Sequence, residues 1–89
     1  SQNFPNPFNP STSVNFSVPK DGAVTLKVYD MIGQEVATLF SGNAQRGTYT
    51  LTWNGKDNSG KYVSSGSYVY RISANNGEFV QSKKMMFLK

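Results

Sequence analysis

The side chains that could carry chemistry in this 89-residue chain are five carboxylates, nine lysine or arginine side chains, and hydroxyls. The sequence contains neither histidine nor cysteine, so the usual nucleophile and base pairs, zinc sites and redox couples lack their residues. No two carboxylates share one predicted turn or strand; they are Asp21, Asp30, Glu35, Asp57 and Glu78. We therefore expect no two-carboxylate hydrolysis, no catalytic residue, no resident metal and no cofactor.

Oxygen donors alternate along the loop Asn54–Gly60. The Asn54 side chain, the Lys56 carbonyl and the Asn58 side chain fall at alternate positions, and Asp57 adds a carboxylate. One carboxylate is too few for a tight calcium site, and Asn, Asp, Ser and Gly also build hydrogen-bonded turns. We favour a turn rich in such hydrogen bonds and keep calcium binding as the alternative.

Several aromatic residues could line a sugar-binding face of the kind that small accessory modules carry. They are Tyr49, Trp53, Tyr62, Tyr68 and Tyr70. A domain of this size needs large inward side chains, and that need accounts for most of these residues without a ligand. A carbohydrate-binding module stays as an alternative reading of the chain.

The net charge of +4 is concentrated at the C-terminus. Residues 1–78 hold six Lys or Arg against five Asp or Glu, a balance of +1, so Lys83, Lys84 and Lys89 supply the remaining +3. Lysines on an edge strand discourage edge-to-edge pairing, and that role alone would explain them. The functional interpretation is a docking patch for an acidic partner. Nucleic acid is disfavoured, because the other cations are scattered and no nucleic-acid-binding signature is present.

The length and hydropathy of the chain indicate one small domain without a membrane span. A mass of 9.8 kDa is too small for two independent cores. The longest apolar stretch, Met85–Leu88, is far shorter than the roughly 18 residues that span a bilayer, so we expect a soluble protein with no membrane insertion. The chain has no initiator methionine and no signal-peptide pattern, so we expect it to be a piece of a longer protein.

Period-two alternation recurs along the sequence and predicts an all-β fold. The predicted strands, about seven, are Thr12–Val18, Ala23–Tyr29, Gln34–Phe40, Thr48–Trp53, Tyr62–Val63, Gly66–Ile72 and Phe79–Leu88. Their number and spacing are typical of an immunoglobulin-like antiparallel β-sandwich. The apolar residues of the third strand do not share one parity, which a β-bulge would reconcile.

Two tyrosines strengthen the immunoglobulin-like interpretation. Tyr68 stands where a tyrosine corner is expected, at the entry to the penultimate strand. Tyr70 stands where antibody domains have their second core cysteine, so aromatic packing would replace the disulfide. The last strand ends with apolar residues on both faces, so we expect it to be covered on both sides or completed by a partner.

The sequence predicts a linker over the first eleven residues and the sandwich over residues 12–89. Three prolines among Phe4, Pro5, Asn6, Pro7, Phe8, Asn9 and Pro10 remove ladder donors and favour an extended, stiff backbone. Phe4 and Phe8 would pin this linker onto the edge of the sandwich. The alternative is that Phe4, Pro5, Asn6, Pro7 and Phe8 form a segment presented to a processing enzyme.

Residues 3–12 read N-F-P-N-P-F-N-P-S-T, which resembles the Y-P-N-P-F-N-P-S/T start of type A C-terminal sorting domains of the type IX (Por) secretion system. The resemblance continues through Val24–Leu39, Trp53–Lys61, Gly66–Arg71 and Lys83–Lys89, and so covers essentially the whole chain. Immunoglobulin-like domains of flagellar hook-capping proteins are similar over the middle, so the proline-rich start and the basic end discriminate between the two families.

The resemblance to sorting domains implies a non-enzymatic address for secretion. Such a domain follows an N-terminal cargo domain of the same precursor, folds in the periplasm and is read by an outer-membrane translocon. A sortase-like peptidase then removes it, and the cargo stays on the cell surface or becomes extracellular. Positive charge and apolar groups coincide in the predicted docking strand, which consists of Lys83, Lys84, Met85, Met86, Phe87, Leu88 and Lys89. The alternatives are a structural scaffold of the hook-cap type and a carbohydrate-binding module of a secreted glycosidase.

Overall fold

Two antiparallel sheets make up the computed structural model, which describes residues 11–88. The strands are β1 (Thr12–Val18), β2 (Gly22–Tyr29), β3 (Glu35–Ala44), β4 (Gly47–Trp53), β5 (Gly66–Ala74) and β6 (Phe79–Phe87). β1 pairs with β4 in a two-stranded sheet, and the four-stranded sheet has the order β3-β2-β5-β6. The predicted all-β, immunoglobulin-like antiparallel sandwich is confirmed. None of the described elements is a helix long and apolar enough to cross a membrane.

The hydrophobic core lies between the sheets and consists of alternate residues of each strand. Its members are Val14, Phe16 and Val18 on β1, Val24, Leu26 and Val28 on β2, Ala37 on β3, Trp53 on β4, Tyr68, Tyr70, Ile72 and Ala74 on β5, and Met85 and Phe87 on β6. Full burial of one such aliphatic or aromatic side chain stabilises the fold by about 1.5 to 3 kcal/mol. A slip of one residue would turn a whole apolar set to solvent, so the core also fixes the strand register.

The hydroxyl groups of two tyrosines on β5 fix the corner of the sandwich and join its sheets. The Tyr68 hydroxyl donates to the Ser64 carbonyl at 2.7 Å, which forms the expected tyrosine corner. The Tyr70 hydroxyl donates to the Asn15 carbonyl at 2.7 Å and so links β5 to β1 in the opposite sheet. Tyr70, which is buried in the core, therefore bridges the sheets by a hydrogen bond.

Two irregularities in β3 explain its mixed parity. Leu26 pairs with Phe40 and Lys27 with Thr38, so Leu39 is an extra residue in the ladder. A second shift, between Val28 and Tyr29, makes Val36 an extra residue as well. The bulge expected from the sequence is thus present, accompanied by a second one.

The structure differs from the predicted strands at two places. Tyr62–Val63 is not a strand, because Tyr62 forms only an isolated bridge with Lys56, and this leaves six strands among the described residues. β3 also runs on to Ala44, where Gln34–Phe40 was predicted. Its last four residues have turn-like composition, but they pair with the first half of β2, which otherwise would have no partner on that side.

Candidate functional site

The docking strand predicted from the sequence is divided between core and surface. Met85 and Phe87 point between the sheets and are buried, whereas Lys83 and Lys84 are exposed. Met86 and Leu88 are also exposed, at 52% and 66% of their surface. Lys89 lies outside the described residues, as do Phe4, Pro5, Asn6, Pro7 and Phe8. Only part of the predicted docking strand can therefore contact a partner while the domain stays folded.

The buried part of this strand has a structural role at one end of the core. The ring centroids of Phe87 and Trp53 are 5.2 Å apart. The Tyr68 ring packs edge-on against Trp53, with the ring centroids 5.1 Å apart. The Trp53 indole nitrogen donates to the Lys56 carbonyl at 3.0 Å, which ties the start of the following loop to the same cluster. The period-two alternation of β6 is the sequence signal that separates Phe87 from its exposed neighbours.

The turn between β2 and β3 exposes a second apolar group. Met31 and Ile32 are 56% and 80% exposed at its tip. The Asp30 carboxylate accepts hydrogen bonds from the backbone N–H groups of Ile32 and Gln34, at 3.1 and 2.9 Å, and so holds the tip in one conformation. The sequence predicts this turn, but we missed its apolar pair as a surface feature; two large apolar residues inside a turn are the signal.

The apolar tip and the end of β6 lie at the same end of the four-stranded sheet. Tyr29 at the end of β2 pairs with Val69, and Val69 pairs with Lys84 near the end of β6. Met31, in the turn after β2, and Met86, in β6, therefore both come just after this line of paired residues. The two exposed apolar groups could contact one protein partner together.

The loop that follows β4 uses its oxygen donors for its own turn. The Asp57 carboxylate accepts hydrogen bonds from the Ser59 hydroxyl and from the backbone N–H groups of Ser59 and Lys61, at 2.7 to 3.0 Å. These bonds lower the pKa of Asp57 below its ordinary value of 3.8, the Ser59 hydroxyl most strongly. The described residues contain no group of three or more acidic side chains able to hold a metal ion. The turn interpretation therefore accounts for this loop.

One shallow depression is lined by Asn58, Ser59 and three carboxylates that lie in different turns or strands of the sequence. The carboxylates are Asp30, Glu35 and Asp57. The Glu35 carboxylate faces the Lys27 ammonium at 3.0 Å, and this contact lowers the pKa of Glu35 and raises that of Lys27. Each of the three carboxylates is already engaged by donors of the fold, so the depression offers a poor general base.

The candidate sugar-binding aromatics do not form an exposed strip. Trp53, Tyr68 and Tyr70 are buried, and Tyr49 stacks on Phe16 with ring centroids 5.4 Å apart. Tyr62 is half exposed, and the Lys56 ammonium lies 5.1 Å from its ring centroid. The part of the chain that the structure describes therefore lacks the flat aromatic surface that a carbohydrate module would need.

Comparison with known proteins agrees with the immunoglobulin-like core. The model of the FlgD Ig-like domain family matches residues 6–78. The chain belongs to this family. Two relatives named basal-body rod modification protein FlgD, from Salmonella typhimurium and Salmonella typhi, are each 41% identical over 64 residues. The matched segment is 72% of this chain but 27% of either relative, so the chain spans about a quarter of their length.

Solved structures of FlgD share the fold. The structure from Pseudomonas aeruginosa superposes with a TM-score of 0.69 at 24% identity, over 88% of this chain and 59% of that one. The structure from Xanthomonas campestris, whose title refers to hook capping essential for flagellar assembly, gives 0.65 at 19% identity, over 89% and 56%. At these identities the likeness bears on the fold alone.

These matches overturn the assignment to type IX secretion. The translocon, the sortase-like peptidase, the cargo domain and the passage through the periplasm to the cell surface were all implied by the sorting-domain resemblance, and the FlgD matches contradict them. The reason is physical: Val24–Leu39, Trp53–Lys61 and Gly66–Arg71 encode bulged strands, a polar turn and a tyrosine corner. Such features belong to the sandwich and do not distinguish one use of it from another.

Proposed function

We propose that this domain is a non-enzymatic scaffold module in an assembly of the flagellar hook-cap type. The observation that carries the proposal is the FlgD Ig-like match over residues 6–78, together with 41% identity to the Salmonella rod modification proteins. The engaged carboxylates and the absence of histidine and cysteine from the sequence support a binding role over a catalytic one.

The contacts proposed for this role are the exposed apolar tip of the β2–β3 turn and the exposed part of the docking strand. Met31 and Ile32 are held on a rigid turn, so binding costs little conformational entropy there. Lys83, Lys84 and Met86 add charge and apolar surface at the same end of the sheet. We further propose that residues 12–89 are the folded module and residues 1–11 a linker.

Deletion tests the proposal in the cell that makes this chain. Removing the codons for residues 12–88 should abolish hook assembly, visible by electron microscopy of basal bodies, and should abolish swimming in soft agar. Supplying the intact gene in trans should restore both. A cell that builds no flagella, or one whose hooks and swimming survive the deletion, would overturn the proposal.

Point variants connect the effect to the proposed contacts. Replacing both Met31 and Ile32 with serine should reduce swimming while the protein level stays constant, because the side chains are exposed and contribute little to folding. Thr48→Ser, at an exposed position of the other sheet, is the matched control and should swim normally. Equal behaviour of the two variants would show that the turn tip is not a contact.

A further inference from the structure

The outer edge of β6 is long, regular and unpaired among the described strands. β6 pairs with β5 over nine consecutive residue pairs, from Gly66 with Phe87 to Ala74 with Phe79, without a register shift. No described strand lies on its other side, since the sheet order ends at β6. Such an edge presents a row of backbone donors and acceptors to any extended segment.

The opposite edge of the same sheet, formed by β3, is closed in its first half. The backbone N–H of Asn58 donates to the Val36 carbonyl at 3.0 Å, and the Asn58 side-chain oxygen accepts from the Thr38 N–H at 2.9 Å. Asn58 thus occupies the Val36 carbonyl and the Thr38 N–H, two groups in the first half of β3 that an added strand would use. The two extra residues in β3 also distort its ladder. Strand addition to this sheet is therefore directed to β6.

Charge distinguishes β6 from the strands of the smaller sheet as well. β1 and β4 contain no charged side chain, whereas β6 carries Lys83 and Lys84 at adjacent positions. The ion pairs of the described residues join Lys20 to Glu78 and Lys27 to Glu35, so neither β6 lysine has a carboxylate partner in them.

The acidic side chains of the described residues already have partners other than these lysines. Each acidic residue already accepts a hydrogen bond or faces another cation: Asp21, Asp30, Glu35, Asp57 and Glu78. A partner that neutralises these lysines therefore brings its own negative charge. A second copy of β6 is a poor occupant, because antiparallel self-pairing around the centre of the lysine pair would place like charges opposite each other.

The alternation of β6 specifies the pattern of the added strand. Lys83 pairs with the buried Tyr70 and Lys84 with Val69, so the two lysines point to opposite faces of the sheet. Val80 and Met86, both about half exposed at 53% and 52%, share the outer face with Lys84 and lie on either side of it. A matching segment has two adjacent carboxylates with apolar residues on either side.

We propose that β6 binds an extended acidic segment of a partner protein by strand addition, with carboxylates of that segment opposite Lys83 and Lys84. Backbone hydrogen bonds supply the binding, and the two lysines supply the selectivity. This inference goes beyond the scaffold function and does not depend on it, since it concerns the recognition mode of one edge.

A peptide titration of the 89-residue chain tests it. The probe is a nine-residue peptide of valine and threonine with two adjacent central glutamates, and the control peptide has two lysines instead. Amide NMR shifts should move in β6 and saturate at about 1 mM peptide or below. The lysine peptide should bind about tenfold more weakly, because it places two like charges opposite Lys83 and Lys84 where the glutamate peptide places two opposite charges.

The double variant Lys83→Glu/Lys84→Glu should reverse this preference. Both side chains are exposed, so the variant keeps the fold, which far-UV circular dichroism can verify. Equal binding of both peptides, shifts outside β6 or no saturation would overturn the inference. Concentration-dependent sedimentation of the chain alone would indicate self-pairing and would also overturn it. Faster amide exchange in β6 after removal of residues 1–10 would indicate that this segment of the chain occupies the edge, with the same consequence. None of these readouts involves hook assembly, so the two proposals can fail separately.

Discussion

Two tyrosines on β5, two residues apart, make different hydrogen bonds with their hydroxyl groups. Tyr68 closes a corner within a few residues of itself, whereas Tyr70 reaches a carbonyl of β1 in the other sheet. Burial raises the pKa of the Tyr68 hydroxyl above its ordinary value of 10.0, and the nearby Asp30 charge adds to this effect. The raised pKa is consistent with a hydroxyl that must keep its proton in order to donate.

Tyr70→Phe should lower the free energy of unfolding by about 1 to 2 kcal/mol, because the ring stays but the bond to the Asn15 carbonyl is lost. Urea denaturation measures the change. Tyr62→Phe is the matched control: that tyrosine is half exposed and should change stability by less than about 0.5 kcal/mol. If the two variants were equally stable, the inter-sheet hydrogen bond would contribute nothing.

Acid should destabilise the domain through Asp57. Its pKa is lower in the folded chain than in the unfolded chain, so its contribution to stability is present above the ordinary value of 3.8 and is lost as pH falls through the lower folded pKa. Asp57→Asn keeps an oxygen that can accept the same hydrogen bonds but does not titrate. Thermal unfolding at pH 7 and pH 2 should therefore show a smaller drop in Tm for Asp57→Asn than for the wild type, and an equal drop would contradict this account.

At the scale of elements, the loop between β4 and β5 connects both sheets. Asn58 closes the edge of β3, Asp57 forms the turn, and Gly55 lies directly against the Phe87 ring of β6. A turn-rich composition predicts the loop but not these contacts. The loop thus supports the end of the four-stranded sheet where the exposed apolar groups lie.

Gly55→Ala should destabilise the domain by about 3 kcal/mol or more. The added methyl group would overlap the Phe87 ring, which is fully buried and packed against Trp53, and φ is +78° there. Gly60→Ala is the matched control, since φ is +88° but nothing lies within 4 Å of the added atom. The control should cost about 1 kcal/mol, for the backbone alone. Equal costs in chemical denaturation would refute the steric argument.

At the scale of the whole molecule, the two sheets depend on one shared core. Trp53 is the single tryptophan of the chain; it lies on β4 and contacts Tyr68 on β5 and Phe87 on β6. A sheet of two strands has little stability of its own, so the smaller sheet persists because the larger one covers its apolar face. The sandwich should therefore unfold as one unit.

Trp53 fluorescence and far-UV circular dichroism should report the same transition. The first probe senses the contact between the sheets, and the second senses the strands themselves, so a two-state domain gives coincident midpoints in urea. Exposed Thr48→Ser provides a control whose two curves should shift little and together. Separate midpoints would mean that the sheets come apart before the strands unfold.

Alternation along the chain determined the fold class, most of the strands and the tyrosine corner, because period-two burial and turn residues act over a few neighbouring positions. It also located the bulge in β3. The residue types Asn75, Asn76 and Gly77 are typical of a tight turn, and they adopt φ values of 56°, 58° and 89°. These features were predictable from the residues themselves.

Tertiary structure alone decided which strand edges are closed and which apolar residues of β6 are exposed. Asn58 reaches β3 from 20 residues away, and Tyr70 bonds Asn15 from 55 residues away, so neither contact has a local pattern. The extension of β3 to Ala44 depends in the same way on the partner that β2 requires. Burial and edge pairing are properties of neighbours in space, and the sequence lists neighbours only along the chain.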